Sequence, residues 1–93
     1  MTSLAGKHVF EAEIVNELGL HARAAAQVAA VAARAENNIW LISEGRKVDA
    51  SSVIDILTLA CVKGSKISFE ADHQVDLPIL KDLMDLVKKG FGE

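Results

Sequence analysis

Four segments of the chain have the residue patterns of β-strands. Residues 9–14 and 66–72 alternate apolar and polar side chains, which indicates strands with one buried face. Residues 39–42 are continuously apolar, and residues 47–49 follow them after a Glu-Gly pair at 44–45. Because glycine suits a tight turn, we expect these two segments to form a hairpin.

Three further segments have helical periodicity or helix-capping residues. Residues 22–36 are rich in alanine, and their larger apolar side chains recur at helical spacing. A second helix is expected to be capped by one of the two serines at 51–52 and to continue to about Cys61. The third begins near Asp76, has a proline in its first turn and stops at Gly90.

The resulting order is strand, helix, strand, strand, helix, strand, helix. It predicts an α+β fold in which a four-stranded antiparallel sheet is covered on one face by three helices. We expect one domain spanning residues 1–93, since a chain of this length builds a single modest core. The order of strands within the sheet stays open, because a ferredoxin-like sheet with an additional terminal helix has the same succession of elements.

Composition narrows the classes of partner and compartment. The formal net charge is -3, and no run of lysine or arginine is present, which argues against nucleic acid or an anionic membrane as the main partner. Residues 1–6 lack the basic and apolar regions of a signal peptide, and the alanine-rich stretch 24–35 is too short to span a bilayer. We therefore expect a cytoplasmic protein without membrane insertion. The single cysteine, Cys61, is expected to be a small buried apolar residue.

Candidate chemistry lies in the run Gly-Leu-His-Ala-Arg at 19–23, where a loop enters the alanine-rich helix. The backbone N–H groups of a first helical turn, here those of Ala22 and Arg23, lack intrahelical partners and attract anions. The guanidinium of Arg23 adds a permanent positive charge. These features predict that His21 is a nucleophile for phosphoryl groups. No pair of histidines has the spacing of a metal site, so no metal is expected.

Together with further motifs, this run resembles the HPr family, the histidine-containing phosphocarriers of the bacterial phosphoenolpyruvate-dependent sugar phosphotransferase system. The shared motifs include Gly-Arg-Lys-Val-Asp at 45–49, Ser-Val-Ile at 52–54 and Lys-Gly at 63–64. The resemblance extends over nearly all of residues 7–93. It implies an open-faced β-sandwich with the strand and helix order derived above.

The resemblance also implies a function for particular residues. His21 would take a phosphoryl group on Nδ1 from phosphorylated enzyme I and pass it to the enzyme IIA domain of a sugar permease, while Arg23 contacts the phosphoryl oxygens. Ser52 matches a serine that a dedicated kinase phosphorylates in many relatives, with a phosphatase as its counterpart. No cofactor is implied, since the chain is a protein substrate more than an autonomous enzyme. We expect it to act as a monomer.

The second helix has more apolar residues than one buried face can use. Ile54 is expected to point outward and Leu57 to lie near the boundary, while Leu20 and Gln27 extend the same surface around the histidine. An apolar patch with polar neighbours suggests a docking surface for partners. The alternative is a small domain with a slightly apolar surface and no docking role.

The chain departs from the family pattern at two positions. Ala24 stands where relatives usually have proline, which keeps a backbone N–H and leaves the helix entry less rigid. Asp55 stands where many relatives have glycine, and its charge could alter docking or discourage a serine kinase. An alternative function is therefore a regulatory adaptor that signals by its phosphorylation state at His21 and Ser52. A third hypothesis is a ferredoxin-like binding module in which His21 has no chemical role.

Overall fold

A computed structural model describes residues 8–93 and contains all seven predicted elements. The expectation about a signal peptide in residues 1–6 lies outside the described residues. Short 3-10 turns precede and follow the last helix, at Gln74–Asp76 and Gly90–Gly92. The strands and helices are β1 His8–Glu13, α1 Ala22–Ala32, β2 Ile39–Ser43, β3 Arg46–Asp49, α2 Val53–Thr58, β4 Lys66–Ala71 and α3 Leu77–Lys88.

The four strands form one sheet in the order β1-β4-β2-β3. Each strand pair within residues 8–93 is antiparallel, and β4 lies between β1 and β2. This order excludes the ferredoxin-like arrangement, in which β1 lies between β3 and β4. One row of the register runs across all four strands from Phe10 through Phe69 and Leu41 to Val48. Phe69 and Leu41 are fully buried, so this row faces the helices.

The helices cover one face of the sheet with small and branched side chains. In α1 the buried positions are mostly alanines, whose size lets the helix lie close to its neighbours. In α3 the inward residues are Leu80, Leu83 and Val87, each completely buried. Among residues 8–93, no helix is both long enough and apolar enough to cross a membrane.

Two helices end earlier than their composition predicts. α1 ends at Ala32 rather than Glu36. The N–H groups of Arg34 and Ala35 donate to carbonyls three residues back, and those of Glu36 and Asn37 donate to the carboxylate of Asp76, each at 2.8 Å. These N–H groups therefore do not continue the helix. The strand boundaries agree with the prediction within one residue.

The end of α2 is the second correction. The helix stops at Thr58 rather than at about Cys61, since the guanidinium of Arg46 donates to the Thr58 carbonyl at 2.8 Å. Ala60 then adopts a left-handed conformation with φ 53°. Cys61 consequently lies in the following loop, where it is buried as predicted.

Candidate functional site

A contact between two loops places the predicted histidine. The loop before α1 lies against the loop after α2, where the Leu20 N–H donates to the Cys61 carbonyl at 3.0 Å. Gly19 stands at the closest approach with φ 65°, and a Cβ added there would lie 2.4 Å from the Cys61 carbonyl oxygen. Only glycine fits this position without a shift of the backbone. The contact therefore determines where the chain enters α1.

His21 is the N-cap residue of α1. Its backbone is extended, with φ -74° and ψ 179°, and its carbonyl accepts the Ala25 N–H at 2.8 Å. Its side chain makes no capping hydrogen bond within the described part of the chain, so the first-turn N–H groups of Ala22 and Arg23 stay available to an anion. The imidazole itself is a quarter exposed. The structure thus brings His21 and Arg23 together at a helix N-terminus, as the sequence predicts.

A carboxylate that sequence reasoning missed joins these two residues. The Glu93 carboxylate contacts Nε2 of His21 and accepts a hydrogen bond from Nη2 of Arg23 at 3.0 Å. Its other oxygen accepts from Nδ2 of Asn16 at 3.0 Å. Asn16 is buried and also donates to the Gly19 carbonyl at 2.9 Å, which ties this carboxylate to the loop before α1.

The segment that carries Glu93 is anchored in the core. Phe91 is only 3% exposed, although its φ of 59° is unfavourable for a residue other than glycine. Nε2 of Gln27 donates to the Phe91 carbonyl at 3.3 Å, so Gln27 holds this segment in addition to its predicted place near the site. Gly90, with φ 62°, ends α3 as predicted and turns the chain toward Asn16.

The surroundings of Glu93 favour its ionised form. The hydrogen bond from His21 contributes most, followed by that from Asn16, and the pKa of Glu93 falls from 4.5 to about 2. The site therefore holds an anion at neutral pH. It has the donors and the positive charge that a phosphoryl group would also require.

Ser52 caps α2 as predicted. Its hydroxyl oxygen accepts the Asp55 N–H at 3.2 Å, in the manner of a capping box without the reciprocal bond. This role is structural, and the proposed phosphorylation of Ser52 stays a prediction.

The predicted docking residues divide into exposed and buried side chains. Ile54 is 75% exposed and Leu57 is 40% exposed, whereas Leu20 is buried in the core. The burial of Leu20 argues against its predicted docking role, because its side chain already packs inside the domain. Leu18 and Val62, which the sequence analysis did not select, are exposed on the two contacting loops. We refer to Leu18, Ile54, Leu57 and Val62 as the apolar patch.

Comparison with known proteins assigns this arrangement to a family. The family profile described as "PTS HPr component phosphorylation site" matches residues 9–89. The chain belongs to the HPr family. Among its HPr relatives, the phosphocarrier protein of Neisseria meningitidis is 33% identical over 81 residues, which are 87% of this chain and 91% of the relative. The corresponding protein of Cupriavidus necator is 35% identical over 80 residues, 86% of this chain and 90% of the relative.

Solved HPr structures confirm the predicted open-faced sandwich. HPr from Thermoanaerobacter tengcongensis superposes with a TM-score of 0.87 at 32% identity, covering 92% of this chain and 97% of that one. The Bacillus subtilis catabolite repression HPr, Crh, superposes with a TM-score of 0.63 at 28% identity, covering 86% of this chain and 95% of that one.

We predict that Gly19→Ala lowers the free energy of unfolding by about 2–4 kcal/mol, combining backbone strain with displacement of the loop at 61–62. Gly45→Ala is the matched control, because Gly45 has φ 79° but no described atom within 4 Å of an added Cβ. Urea unfolding measures both variants. Equal losses in the two variants would show that the close approach to Cys61 costs nothing.

We also predict that the Glu93 carboxyl group titrates with a midpoint near 2, measured by carbon NMR of its side chain. Since its pKa is lowered on folding, the contact stabilises the fold above about pH 4.5 and is lost as the pH falls through about 2. His21→Ala removes the largest cause and should raise the midpoint. A wild-type midpoint near 4.5 would contradict the contact.

Proposed function

We propose that this chain accepts a phosphoryl group on His21 from phosphorylated enzyme I and donates it to an enzyme IIA domain. The observation that carries the proposal is the position of His21 at the N-terminus of α1, beside Arg23, in a site that already binds a carboxylate. The family membership of the chain supports the same conclusion. The proposed compartment is the cytoplasm, and the proposed active form is a monomer.

The transfer is an exchange of bonds at phosphorus. The lone pair of His21 Nδ1 attacks the phosphorus, and the bond between phosphorus and its donor atom on enzyme I breaks, leaving the electron pair on the donor. The N–H groups of Ala22 and Arg23, the guanidinium of Arg23 and the positive end of the α1 dipole stabilise the phosphoryl oxygens. The reverse sequence, with a nucleophile on enzyme IIA, removes the group. The chain therefore positions the phosphoryl group and stabilises its negative charge. Enzyme I supplies the phosphoryl donor, and enzyme IIA supplies the acceptor.

The apolar patch is the proposed docking surface for both partners. Leu18 and Val62 lie on the loops that position His21, and Ile54 and Leu57 lie on α2. All four side chains are between 40% and 75% exposed. Burial of such side chains is a common source of binding free energy. Gln27 lies at the edge of this surface and contributes by holding the Phe91 segment.

A regulatory adaptor is the second candidate function, favoured by the likeness to the catabolite repression HPr of Bacillus subtilis. A serine kinase would add a phosphate to Ser52 at the start of α2, where the helix dipole favours negative charge but the Asp55 side chain opposes it. In this function, partner binding would respond to the phosphorylation state without onward transfer to a sugar.

We predict that phosphoenolpyruvate and the cognate enzyme I add one phosphoryl group to the chain, detected by intact mass, and that His21→Ala abolishes the addition. Adding the cognate enzyme IIA should then remove the group from the wild-type chain. Phosphorylation without onward transfer, together with partner binding that depends on phosphorylated Ser52, would favour the adaptor. Phosphorylation of His21→Ala would contradict the proposal.

We predict that Ile54→Glu weakens binding to enzyme I by about 10-fold, because it places a charge within the apolar patch. Its free energy of unfolding should change by less than about 0.5 kcal/mol, since Ile54 is largely exposed. Val75→Glu is the control, as Val75 is 53% exposed but lies in the 3-10 turn before α3. Calorimetric titration measures binding, and equal effects of the two variants would contradict docking at the patch.

A further inference from the structure

We propose that Glu93 is a positioning residue whose carboxylate holds the His21 ring with a proton on Nε2, so that Nδ1 presents its lone pair to the phosphoryl group. The proposal rests on the proposed function and extends it to a residue 72 positions away in sequence. It assigns Glu93 no contact with phosphorus.

The direction of the hydrogen bond follows from the chemistry of its two groups. An ionised carboxylate only accepts hydrogen bonds, so the ring nitrogen that contacts it must donate. That nitrogen is Nε2. A neutral imidazole carries one proton, and with that proton on Nε2 the lone pair lies on Nδ1. Within residues 8–93, Nδ1 of His21 has no hydrogen-bond partner that would cover it.

The same contact favours the phosphorylated product. Bonding of phosphorus to Nδ1 leaves the ring as an imidazolium with its proton on Nε2. A carboxylate at Nε2 then forms a charge-assisted hydrogen bond, which is stronger than the bond to the neutral ring. Positive charge develops on the ring as the bond to phosphorus forms, so the contact is already stronger in the transition state than before transfer. This is the condition for lowering the barrier.

The contact is built into the fold by several groups. Asn16 is 6% exposed and holds the second carboxylate oxygen, while buried Phe91 and its bond from Gln27 anchor the chain two residues before Glu93. The side chain of Glu93 is only 14% exposed. These restraints fix the direction from which the carboxylate approaches the ring.

The opposing possibility is that the carboxylate competes with the phosphoryl group for Arg23. Two observations favour positioning over competition. The carboxylate contacts the ring nitrogen that is not the proposed nucleophile. It also has three hydrogen-bond partners, Asn16, His21 and Arg23, and so does not depend on Arg23 alone. Arg23 is 63% exposed, so its guanidinium has room to turn toward a phosphoryl group.

The test compares Glu93→Gln, Glu93→Asp and wild type in two measurements. Nitrogen NMR of the His21 ring at neutral pH reports which nitrogen carries the proton, and rapid quench with phosphorylated enzyme I reports the rate of transfer. We expect Glu93→Gln to lower the fraction protonated on Nε2 and to slow transfer about 10-fold, by analogy with other carboxylates that orient a histidine. Glu93→Asp, which keeps the charge, should restore part of both.

Glu17→Gln is the control for net charge, because Glu17 is 81% exposed and pairs with Lys63 rather than with the site. It should leave the tautomer and the rate unchanged. A Glu93→Gln variant with an unchanged tautomer and rate overturns the proposal, and faster transfer overturns it in favour of competition. A wild-type chain that accepts no phosphoryl group contradicts the proposed function instead, and the NMR measurement then still decides whether Glu93 sets the tautomer.

Discussion

The close approach of Gly19 to the Cys61 carbonyl is the constraint on which the site depends. It joins the loop before α1 to the loop after α2, and the Leu20–Cys61 hydrogen bond fixes their separation. His21, the N-cap of α1, follows two residues later, so its position relative to α2 is determined by backbone contacts. The same contact holds together the two loops that carry Leu18 and Val62 of the apolar patch. The position of the candidate site and that of the proposed docking surface therefore depend on the same contact between the two loops.

The second organising feature is the balance of charge at the start of α1. A helix N-terminus and an arginine together attract an anion. In this structure the Glu93 carboxylate accepts a hydrogen bond from the Arg23 guanidinium and leaves the first-turn N–H groups of α1 available. A carboxylate and a phosphoryl group accept hydrogen bonds from similar donors, but they differ in charge and in size. The carboxylate contacts Nε2, which leaves Nδ1 for the proposed phosphoryl group. A carboxylate that inhibited the proposed transfer would instead occupy Nδ1.

Residue patterns along the chain predicted those parts of the fold that depend on interactions between residues close in sequence. Alternation identified β1 and β4, the positive φ values at 44–45 confirm the predicted turn, and Ser52 caps α2 as its type suggests. Sequence patterns did not predict the ends of α1 and α2, because the distant side chains Asp76 and Arg46 bond to backbone groups at or just beyond each end. The helix propensity of a segment carries no information about hydrogen bonds from side chains that are distant in sequence.

The same distinction explains which residues of the candidate site are visible in the sequence. His21 and Arg23 stand together in one motif, so their chemistry is visible along the chain. Glu93 and Asn16 are distant from one another in sequence and meet only after the sheet and α3 have formed. The burial of Leu20 likewise depends on packing, since an apolar residue beside the candidate histidine is equally suited to the core or to a contact with a partner.

The most direct test of the proposed transfer is phosphorus and nitrogen NMR of the chain, labelled with nitrogen in its histidines, after phosphorylation by phosphoenolpyruvate and enzyme I. We expect one phosphoryl group, bonded to Nδ1 of His21, with the remaining ring proton on Nε2. A phosphoryl group on Nε2 of His21, or on another residue, would contradict it.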